Sequence, residues 1–183
     1  YSEYGVDGDS DGNLESAWFV ANTTLAIADD AVPGGDQLLN LPVTPTGSAS
    51  LTTYFTPEST PVTLAATGDK MILTWQFRPT GMTNTGTGNN DMRLAVVDSP
   101  SASRITSGAP GSAVYAGYGI FGNMRTNSTL GNANSFRLME WASPGGANNF
   151  LSTSGAWGQV ANGANTSFGG FNDGTNYTLV MTF

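Results

Sequence analysis

Lys70-Met71-Ile72-Leu73-Thr74-Trp75-Gln76-Phe77-Arg78 is the stretch that decides the fold class. On an extended backbone Met71, Leu73, Trp75 and Phe77 fall on one side, and Ile72, Thr74, Gln76 and Arg78 on the other. Period-two alternation of this kind predicts a strand with one face in a core. The pattern returns in Asp91 to Asp98, Ser135 to Trp141 and Asn176 to Phe183, with Gly- and Asn-rich loops between. No long, capped helical period occurs anywhere, so the chain is expected to be all-β.

Working outward, weaker strand signals lie at Leu14 to Val20, Thr23 to Ala28, Gln37 to Val43, Ser50 to Phe55 and Val62 to Ala65. Others lie at 113–121, at 149–152 and, faintly, near 157–160. Short strands with turn signals at regular spacing predict a two-sheet antiparallel β-sandwich of jelly-roll type. The 183 residues show no internal repeat or boundary and suit a single domain, with residues 1–13 as an acidic, Gly-rich leading segment.

Composition excludes more than it suggests. The net charge is −8, with six basic residues: Lys70, Arg78, Arg93, Arg104, Arg125 and Arg137. A nucleic-acid partner needs a basic field to release counterions from phosphate, and this chain has the opposite field. No apolar run approaches the ~20 residues that span a bilayer, so membrane insertion is not expected. There is no cysteine and no histidine, which removes disulfides, thiolate sites, Ser-His triads and most zinc chemistry.

Several stretches together resemble a known family: Ser16-Ala17-Trp18-Phe19, Tyr54-Phe55-Thr56-Pro57 with Pro61-Val62-Thr63-Leu64, Asp69 to Phe77, Arg93 to Ser99, Tyr115 to Phe121, Asn134 to Glu140 and Leu151 to Gly155. From about residue 10 onward the chain looks like the laminin-G/concanavalin-like jelly-roll domains of exported bacterial proteins that carry a PEP-CTERM sorting signal. The resemblance implies a concanavalin-like sandwich located outside the cell or on its surface. It is only weakly informative about function. Members typically continue past the equivalent of Phe183, where this chain stops.

The two ends carry expectations of their own. Tyr1 in place of Met suggests a processed or partial product, with any export signal removed. The chain stops at Phe183, on an apolar strand, so either more residues follow or another copy completes the sheet as a homo-oligomer.

Three constellations could carry function. Asp7, Asp9 and Asp11, followed by Gly12, match the opening of a calcium loop, but Trp18 stands where a bidentate Glu belongs. A structural calcium and a merely solvated acidic segment are both open. The second constellation is a face. If the strands at 70–78, 91–98 and 135–141 share one sheet, Gln76, Arg78, Arg93, Arg137 and Trp141 share its outer side, and Tyr118 extends the patch. Planar polar groups beside an exposed aromatic suit a polysaccharide or cell-surface glycan, the ring stacking on the sugar and Arg or Gln fixing its hydroxyls or carboxylates. In this phase Phe136, Leu138 and Glu140 point inward. The alternative is that these are ordinary solvent-facing residues and that Trp141 packs beneath a loop.

The third is catalytic. A retaining glycosidase needs two carboxylates ~5–5.5 Å apart, and Glu140 stands alone. A lyase needs an Arg to neutralise a uronate and a Tyr to move a proton, which Arg93 or Arg137 with Tyr118 could supply without histidine. Trp18, Trp75 and Trp157 are expected in the core, and the Gly-rich 117–122 stretch lacks the ending of a phosphate loop. A non-catalytic glycan binder is therefore expected, with an assembly subunit joined by strand completion as its rival.

Overall fold

In the computed structural model the described residues are 18–29, 37–43, 49–56, 61–81, 91–99, 104–105, 107–111, 115–124, 136–142, 156–163 and 171–183. Among them there is no helix; every regular element is a strand and every pairing is antiparallel. The strands are β1 (Trp18–Ala21), β2 (Ala26–Asp29), β3 (Gln37–Asn40), β4 (Ser50–Thr53), β5 (Ile72–Phe77), β6 (Asp91–Asp98), β7 (Ala116–Asn123), β8 (Phe136–Trp141), β9 (Trp157–Asn162) and β10 (Tyr177–Thr182). The all-β expectation holds, and the strong strand signals fall on β5, β6, β8 and β10.

The chain divides into two compact units. The first takes residues 1–61, 99–113 and 147–152. It contains the pairs β1–β4 and β2–β3. Its described packing centres on Tyr54, whose ring meets Phe19 edge-on at 6.1 Å and lies under the Arg104 guanidinium at 4.7 Å. Arg104 Nη2 donates to the Thr56 carbonyl at 2.9 Å, and the Ile105 N–H donates to the Tyr54 hydroxyl at 2.8 Å. One arginine and one tyrosine thus pin the 104–105 segment onto the end of β4.

The second unit takes residues 62–98, 114–146 and 153–183. It holds a four-stranded meander in the order β6-β7-β8-β9 and a two-stranded sheet of β5 with β10. In the small sheet, Leu73, Trp75 and Phe77 share a face with Met181, Leu179 and Tyr177 across the ladder. Met71 and Phe183 continue that face and exchange both backbone hydrogen bonds, at 3.1 and 2.9 Å. Ile72, Thr74 and Gln76 face solvent, as the alternation predicts. The two sheets meet through aromatic rings: Phe171 touches Phe136 of β8 and both Phe77 and Tyr177 of the small sheet. Phe183 touches Tyr118 of β7.

Val62 to Ala65 is not a strand. The reason is local: the Asp69 carboxylate accepts the N–H groups of Ala65 and Ala66 at 3.0 and 2.8 Å, so these donors turn to a side chain instead of a ladder. Gly68, at φ +98°, supplies the left-handed residue that this turn needs.

Candidate functional site

Strand register decides which of the expected site residues stand together. Arg93, Phe121, Arg137 and Asn162 form one transverse row across β6, β7, β8 and β9. Residues directly opposite one another project from the same face. Arg93 and Arg137 therefore share a face of one sheet, two strands apart. Both are half-buried, and the Arg93 guanidinium lies 5.0 Å from the Phe121 ring centre.

Trp141 stands on that same face, but not in solvent. It is 7% exposed and lies edge-to-face between Tyr115, at 5.3 Å, and Trp157, at 5.2 Å. Trp157 continues to Phe121 at 5.3 Å. The arginine-bearing face is thus packed with aromatic rings around Trp141, and the expected outward ring is a core ring; the opposite face packs as well, with Phe136 against Phe171 and Tyr118 against Phe183. Phe136 packs on the buried Phe171 as expected, but further along β8 the expected phase is inverted: Met139 and Trp141 are buried, while Leu138 and Glu140 are exposed.

Gln76 and Arg78 belong elsewhere. Both are exposed, but β5 pairs with β10 and not with the meander, so they do not join Arg93 and Arg137 on one sheet. Tyr118 is on the meander but on its other face, in the row Val96, Tyr118, Glu140, Gly158. The Arg and Tyr side chains that a lyase would need together project from opposite faces. Asp7, Asp9 and Asp11 lie outside the described residues, and no group of three or more potential metal ligands occurs among the described ones.

The Tyr118 row is the arrangement that sequence reasoning missed. Tyr118 is 39% exposed, and Glu140, directly opposite it, is exposed as well. Beyond Glu140 the row ends in Gly158, which puts no side chain on the shelf. Phe183, with its ring centre 6.3 Å away, backs Tyr118 from the small sheet. Asp98, also exposed, stands on β6 one step diagonal to Tyr118 on the same face. A register shift between Leu138 and Met139 gives β9 an extra residue there and re-aims the strand beside the shelf. A partly exposed aromatic ring with an exposed carboxylate directly opposite it can take a flat ligand on the ring and hold its polar edge.

Compared with protein-family models, curated proteins and solved structures, the chain matches none.

Proposed function

We propose that this chain is a non-catalytic, extracellular β-sandwich that binds glycan, and that its binding surface is the Tyr118–Glu140–Gly158 row. One observation carries the reading: an exposed aromatic ring and an exposed carboxylate are direct cross-strand neighbours beside a glycine. Sugars present an apolar ring face and an equatorial rim of hydroxyls. An exposed ring with a carboxylate acceptor alongside complements both. The concanavalin-like jelly roll is the architecture we propose, supported by the packed antiparallel sheets of the second unit and by the resemblance to exported bacterial domains. That resemblance also supports a location outside the cell.

The test is binding of the full chain to a panel of soluble polysaccharides, with Tyr118→Ala and Arg137→Ala side by side. Loss in the tyrosine variant alone supports the row. Loss in the arginine variant alone returns the site to the opposite face.

A second reading has its own observation. The outer face of the β5–β10 sheet turns Ile72, 62% exposed, and Val180, 55% exposed, to solvent. Among the described strands β10 pairs with β5 alone, and a second copy adding a strand beside it would extend this apolar face and make the chain an assembly subunit. Mass that rises with concentration in light scattering would favour it.

A further inference from the structure

We infer that the ligand of the Tyr118 row is a cationic glycan, a polysaccharide whose sugars carry free amino groups, and not an acidic one. The inference rests on the glycan reading and adds the charge of the sugar. Among the described residues of the Tyr118 face, the charged groups are the carboxylates of Asp98 and Glu140, one on each side of the ring. The arginines of this sheet, Arg93 and Arg137, project from the reverse face.

The whole chain carries −8. A uronate lying on Tyr118 would bring its own carboxylate against two others in a negative field, a like-charge juxtaposition that excludes a ligand. An ammonium on the same ring gains in three ways. The ring's quadrupole attracts it, a carboxylate at hydrogen-bond reach gives a charge-assisted contact, and the negative field steers the polymer in. An arginine-centred face would select acidic sugars; this face selects their opposite.

The experiment is isothermal titration of the full chain with three oligosaccharide sets of equal length: glucosamine oligomers, N-acetylglucosamine oligomers and oligogalacturonate. Glucosamine oligomers are expected to bind about tenfold tighter than the acetylated set, the scale of a cation–π contact with a charge-assisted partner. Oligogalacturonate is expected not to bind. Glu140→Gln is expected to remove that preference and leave the acetylated set unchanged. Tighter binding of the acetylated or uronate set that is lost in Tyr118→Ala overturns the charge assignment and leaves the glycan reading standing. No binding by any set overturns both. Glucosamine binding that survives Tyr118→Ala and Glu140→Gln comes from net charge alone and overturns the inference.

Discussion

Trp141 of β8 and Trp157 of β9 are direct cross-strand partners whose rings meet edge to face, 5.2 Å apart and 87° to one another. Together with Tyr115 and Phe121 they form the aromatic centre of the four-stranded meander. Trp141 is therefore a stability residue. Trp141→Ala is expected to cost roughly 3–5 kcal/mol, the range for deleting a buried aromatic ring. Denaturant unfolding measures it. A cost within about 0.5 kcal/mol, as for a surface substitution, would put the ring back in solvent.

Gly117 marks where β6 and β7 approach too closely for any side chain. It sits at φ +152°, and an added Cβ would stand 2.3 Å from the Val96 carbonyl oxygen and 2.7 Å from Val97 Cα. Both are backbone atoms, which cannot swing aside. Gly117→Ala is expected to destabilise by about 1–3 kcal/mol through strain and overpacking. Gly111→Ala meets nothing within 4 Å and is the comparison that should remain near wild type in thermal unfolding.

In the first unit, Tyr54→Phe keeps the ring against Phe19 and Arg104 but removes the acceptor for the Ile105 N–H. The expected cost is about 1 kcal/mol, one partly buried hydrogen bond. Arg104→Ala loses both the carbonyl bond to Thr56 and the ring contact and is expected to cost more, roughly 2 kcal/mol. Equal costs for the two variants would show that Arg104 adds nothing beyond what the hydroxyl holds.

Tyr118→Ala separates binding from folding. The ring is well exposed, so unfolding should shift by no more than about 1 kcal/mol, while glycan affinity should fall at least about tenfold, as for a central aromatic contact. A large stability loss with unchanged affinity would make Tyr118 a packing residue for Phe183.

The phase of β5 was legible because its two faces differ in chemistry: Leu73, Trp75 and Phe77 against Thr74, Gln76 and Arg78. The phase of β8 was not. Phe136 and Leu138 on one parity, and Met139 and Trp141 on the other, give both faces an apolar pair, and alternation alone cannot choose between them. The choice is made by the partner strand, where Trp157 stands opposite Trp141. Sheet membership is equally non-local. Gln76 reaches its sheet through Thr178, far along the chain, so grouping it with Arg93 and Arg137 rested on a pairing that a single sequence does not specify. Tyr118 and Glu140 are each visible as residues able to bind a sugar, yet only the β7–β8 register makes them neighbours.

The central claim is a place: the Tyr118–Glu140–Gly158 row. Backbone amide chemical-shift mapping during titration with a glucosamine oligomer tests it most directly. The expected result is a contiguous set of shifts within residues 116–120, 138–142 and 156–159. Shifts confined to residues 72–78 and 178–182, or centred on Arg93 and Arg137 with Tyr118 unmoved, would contradict it.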